Sequence, residues 1–103
     1  MTELEIIEKL RENSGVYLGG KSLTALVGFV GGYINGMSEC GIQVPQDTTK
    51  AMQEFVRSWY GIEGHFHWSR ILLFVCKSEE AAFDEFFELL DLYSRGVDPE
   101  TKE

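Results

Sequence analysis

The chain has 103 residues, 44% hydrophobic and 13% aromatic, enough for one core and too few for two domains. Seventeen acids against nine bases give a formal charge of −8. That balance repels nucleic-acid phosphates and anionic membrane faces, and it suits either a basic protein partner or a surface that is merely soluble.

The start, Met1-Thr2-Glu3-Leu4-Glu5, is acidic and lacks the basic and then apolar blocks of a signal peptide. The longest apolar run, Ile71 to Cys76, falls far short of the roughly 20 residues of a membrane span. Cys40 and Cys76 have no Cys-x-x-Cys spacing and read as free thiols, buried or partly buried, in a reducing compartment. A cytoplasmic protein is the expectation.

Thr2 and Glu5 have the spacing of a capping box, and Leu4, Ile7 and Leu10 follow at helical intervals. Asn13-Ser14-Gly15 should end this first helix, with Val16 to Lys21 a tight apolar turn around Gly19-Gly20. Ser22 can cap a second helix, whose broad apolar side is Leu23, Leu26, Val27, Val30, Tyr33, Ile34 and Met37. Phe29 lies off that stripe, where it could widen the buried face. Gly28, Gly31, Gly32 and Gly36 interrupt the pattern at up to about 1 kcal/mol each against Ala. Either a neighbouring backbone comes close to them, or the helix breaks near Gly31-Gly32.

Ser38 to Pro45 reads as a loop. Asp47 or Thr48 can cap a third helix built on Ala51, Met52, Phe55, Val56 and Trp59 and closed by Gly61. Trp68, Ile71, Leu72 and Val75 fit a helical face, although Ile71 to Val75 alone would also suit a buried strand. Helix is preferred because no second strand is visible for pairing. Ser78 caps the last helix, with Glu79 and Glu80 at its positive end and Phe83, Phe86, Phe87, Leu90 and Tyr93 as its stripe. Residues 96–103 read as a flexible polar tail on a helical domain spanning residues 1–95. The fold class is therefore all-α, a single compact domain of about five helices.

The strongest surface signal is the outer face of the last helix. At 100° per residue Glu80, Asp84, Glu88 and Asp91 fall within roughly 80°, with Glu85 to one side. No Lys or Arg lies between Glu79 and Asp91. Acids four apart repel by a few tenths of a kcal/mol, so the face can be a binding surface held at some expense of stability, or simply a solvated one. These five acids are the candidate partner-binding residues. No histidine stands in the spacing that would turn them into a metal site. The pair His65 and His67 lacks further ligands.

Gly15 to Ser22 matches the phosphate-loop pattern, but its Val-Tyr-Leu interior is bulky and an amphipathic helix precedes it where a strand is required. No nucleophile motif occurs, so no catalytic residue, cofactor or metal is expected. Trp59, Tyr60 and Trp68 read as core or core rim.

Tyr17-Leu18-Gly19-Gly20-Lys21-Ser22-Leu23, followed by an apolar helix ending near Tyr33, is joined by Phe55-Val56…Tyr60-Gly61 and Trp68…Ile71-Leu72. The closing block is Glu79-Glu80-Ala81…Phe83…Phe86-Phe87-Glu88-Leu89-Leu90-Asp91. From about Val16 to Tyr93 this pattern resembles a family of small bacterial immunity proteins of the contact-dependent growth inhibition type. The resemblance implies a protein that binds and blocks a cognate toxin domain, often a nuclease, by covering its cationic active site. It supplies no interface motif. A general interaction module or adaptor without a toxin is the alternative.

Overall fold

Six helices and no strand make up the chain in the computed structural model, which describes residues 1–103. Helix α1 spans Glu3–Glu12, opened by the expected capping box: the Glu5 amide donates to the Thr2 hydroxyl at 3.1 Å and the Thr2 amide to the Glu5 carboxylate at 2.9 Å. A five-residue helix, α2, at Ser14–Leu18 takes in part of the expected stop and the first half of the expected Val16 to Lys21 turn, and only Gly19 to Lys21 bend. Asn13 both closes α1 and opens α2, so the chain re-enters helix at once instead of looping. Gly19, at φ 75, stops it.

Helix α3 runs unbroken over Leu23–Glu39, and the Ser22 hydroxyl accepts from the Ala25 amide at 3.1 Å. The glycines therefore do not break it. Nor does a neighbouring backbone approach them: a Cβ added at Gly28, Gly31, Gly32 or Gly36 would meet nothing within 4 Å. Phe29 does not widen the buried face either. It is exposed and meets Tyr17 edge to face at 5.9 Å.

Helix α4 spans Asp47–Trp59, and neither Asp47 nor Thr48 caps it. The cap comes from α1, where the buried Glu3 carboxylate accepts from the Thr49 amide and from its hydroxyl, both at 2.8 Å. That carboxylate meets the positive end of the α4 dipole. Gly61, at φ 62, closes α4 as expected: its amide reaches Ser58 O at 3.2 Å and the Ile62 amide reaches Arg57 O at 3.0 Å.

Helix α5, Trp68–Cys76, settles the ambiguous run as helix. Helix α6, Glu79–Ser94, begins at Ser78, whose hydroxyl accepts from the Ala81 amide at 3.0 Å. Between them Lys77 sits at φ 63, a left-handed conformation that costs an L-residue roughly 1–2 kcal/mol and glycine nothing. Lys77→Gly should therefore stabilise the fold by about 0.5–1 kcal/mol after the larger unfolded-state freedom of glycine is subtracted. A thermal melt reads this, and an unchanged or lower midpoint would contradict it.

The core lies where α6 meets α3, α4 and α5. Phe83, Phe86, Phe87 and Leu90 are buried in it with Leu26, Val30, Phe55 and Ile71, as the stripes require, and Tyr93 is left exposed. Trp68 stacks on Phe86 at 4.6 Å between ring centroids. Trp59 and Tyr60 are half-buried at the rim. Beyond α6 the chain turns back, with the Lys102 amide bonded to Asp98 O at 2.6 Å and the Lys102 ammonium 4.6 Å from the Trp59 ring centroid.

Candidate functional site

Helix α6 buries its phenylalanines and turns Glu80, Asp84 and Glu88 to solvent, with Asp91 half-exposed beside them. The four acids do share one face. They are not all uncompensated, as spacing along the helix alone implied. The Arg11 guanidinium grips Asp91 with two bonds, at 2.9 and 2.6 Å, and lies 5.0 Å from the Phe87 ring centroid. Lys21 pairs with Asp84 at 3.1 Å. These cations stand 80 and 63 positions away in sequence, out of reach of any helical-wheel count.

The Arg11 hydrogen bonds hold the Asp91 carboxyl below the usual range, and Asp91 raises Arg11 in turn. Both groups stay charged at neutral pH, so this pair clamps α1 to α6 and leaves Asp91 occupied. Glu80 and Glu88 form no ion pair. They are the free acids of the face.

Glu85 faces another way. Its carboxylate accepts the Tyr60 hydroxyl at 2.5 Å, linking α6 to the end of α4. Burial, and then this bond, push the Tyr60 phenol above its ordinary value of 10.0. Glu85 thus belongs to the α4–α6 contact rather than to the open face. Glu79, in the first turn of α6, caps α3: its carboxylate accepts from the Thr24 hydroxyl at 2.6 Å, the Thr24 amide at 2.8 Å and the Ser22 hydroxyl at 3.2 Å. The Thr24 bonds lower its pKa.

The Gly15 to Ser22 match to a phosphate loop dissolves in three dimensions. Its first residues are helix α2, its lysine holds Asp84 and its serine caps α3. Cys40 is exposed instead of buried, and Cys76 is half-buried. No three His, Cys, Asp or Glu side chains stand close enough to share a metal ion, and no helix is long and apolar enough to cross a membrane.

His67 has a role that its sequence context did not suggest. Its Nδ1 accepts from the Ser69 amide at 3.2 Å and lies 2.6 Å from the Ser69 hydroxyl, capping α5. The only sequence signal was its place just before the periodic run at Trp68. Desolvation, and then Arg70, lower the His67 pKa below its ordinary 6.5. The folded chain therefore binds this proton less readily than the unfolded one. The cap contributes fully above the ordinary imidazole value, and its contribution is lost as pH falls through that value toward the folded pKa. Melting temperatures between about pH 7.5 and 5.5 should drop further for the wild type than for His67→Asn, whose amide oxygen caps without titrating. Parallel curves for the two proteins would rule this out.

No protein-family model matches the chain, and no curated protein or solved structure is significantly similar to it.

Proposed function

We propose that this chain is an immunity protein, acting in the cytoplasm of the cell that makes it, which neutralises a cognate toxin by covering the toxin's cationic active site. The observation that carries this reading is the open face of α6, where Glu80, Asp84 and Glu88 lie in a row on a protein of charge −8 with Lys21 as the one cation paired to them. A nuclease must hold phosphates, so its cleft is cationic. An acidic face can occupy such a cleft, and opposite charge speeds the encounter. The likeness of Tyr17 to Leu23 and of the α6 block to immunity proteins points the same way. The adaptor alternative predicts no partner in the adjacent gene.

The test is association kinetics with the toxin domain encoded beside this protein. The variant should be Glu80→Gln with Glu88→Lys. Asp84 is a poor target, because its reversal would also break the Lys21 pair and so would not leave stability untouched. Relief of like-charge repulsion along α6 keeps the variant folded. Its association rate should fall about three- to tenfold at low salt, and the wild-type rate should fall toward it as salt screens the charges. If both associate equally fast at every salt concentration, the face is solvated surface only.

A further inference from the structure

Two exposed phenylalanines line a groove that includes none of the α6 acids. Phe74 on α5 is 81% exposed and Phe66, in the loop before α5, is 56% exposed. With Ile62 and Leu73 they line one apolar groove, which Arg70 also lines. Scattered exposed apolar residues are ordinary, whereas a contiguous set with two aromatic rings marks a contact surface. Arg70 is exposed and forms no ion pair. Glu63, which follows Ile62 in the chain, is exposed and equally unpaired. From His65 to Ser78 the chain has no acid at all, on a protein of charge −8. Copies of such a protein repel one another over most of their surface, and least across this stretch.

We propose that the groove seats a second copy of the chain, in a two-fold dimer that packs Phe74 and Phe66 against their counterparts and sets Arg70 of each copy against Glu63 of the other. A two-fold interface must be complementary to itself. The groove can meet that condition, because its apolar rings can face each other and Arg70 on its lining is opposite in sign to Glu63, the residue after its lining residue Ile62. A basic partner such as a nuclease domain would bring its cations against Arg70, so the groove suits it poorly. The acids Glu80 and Glu88 are not part of the patch.

Sedimentation equilibrium on the full chain, from about 5 μM to about 0.5 mM, tests this. The expected result is a dimer whose association constant falls at least about tenfold in Phe74→Ser, as buried apolar area is lost. Arg70→Glu and Glu63→Arg should each weaken the dimer, and the two together should restore it. Phe74, Arg70 and Glu63 are all exposed, and a melt of each variant checks that the monomer fold survives. A chain that stays monomeric to about 0.5 mM overturns the proposal. So does a dimer indifferent to Phe74→Ser, or a charge-swapped variant that associates no better than either single one.

Discussion

Phe86→Ala should destabilise the protein by about 3–5 kcal/mol, the range for a fully buried phenylalanine. Its side chain has no solvent exposure. It stacks on Trp68 at 4.6 Å and meets Phe87 edge to face at 5.1 Å, so its removal takes away two aromatic contacts and leaves a cavity between α5 and α6. Neighbours that are themselves ring-shaped cannot slide in to fill that space, which favours the upper part of the range. A domain of this size has about 5–15 kcal/mol in total, so the loss removes about a third to a half of a mid-range stability of about 10 kcal/mol. The midpoint of a thermal melt should fall by about 12 °C or more. Phe74→Ala, melted at a concentration where the chain is monomeric, is the matched control, since a ring that is 81% exposed in the single chain has little burial to lose there. A Phe86→Ala protein melting within two or three degrees of wild type would mean that α6 does not present this side chain to the core.

The features legible in the sequence are those that depend on neighbours within one or two turns. The Thr2–Glu5 capping box, the Ser22 and Ser78 caps and the Gly61 stop have their partners within a few residues, and the phenylalanine stripe of α6 follows from spacing within two turns. Even the ambiguous run at Ile71 follows its helical spacing with Trp68 and Leu72. What could not be read depends on long-range contact. The cap of α4 comes from Glu3, 46 residues away, and the partner of Asp91 is Arg11, 80 residues away. Once those contacts form, two of the four acids of the α6 face have cations and Glu85 has Tyr60, so the open part of the site contracts to Glu80 and Glu88. Helix α2 was hidden for another reason. None of its five residues is fully buried and only Leu18 packs against the core, so no periodic stripe announces it.

The glycines of α3 give the second large effect, with the opposite sign. Gly28, Gly32 and Gly36 are spaced four apart along one exposed flank of the helix, none has a positive φ, and an added Cβ meets nothing within 4 Å at any of them. Close packing therefore does not explain them, and each gives up as much as about 1 kcal/mol of helix propensity against Ala. Replacing all three by Ala should stabilise the protein by about 2–3 kcal/mol, since methyl groups one turn apart on an open flank neither clash nor compete for a partner. The thermal midpoint should rise by about 10 °C. No gain would show that the helix is held by contacts which its exposed flank does not reveal. The same variant carries a functional question, because an open flank that gives up stability can be one that a partner covers. Association with the proposed toxin, measured on the triple variant, answers it. A more stable protein that still binds leaves the glycines without a part in the interface. A more stable protein that no longer binds means that the partner's backbone comes close to this flank, where three methyl groups would hold it off.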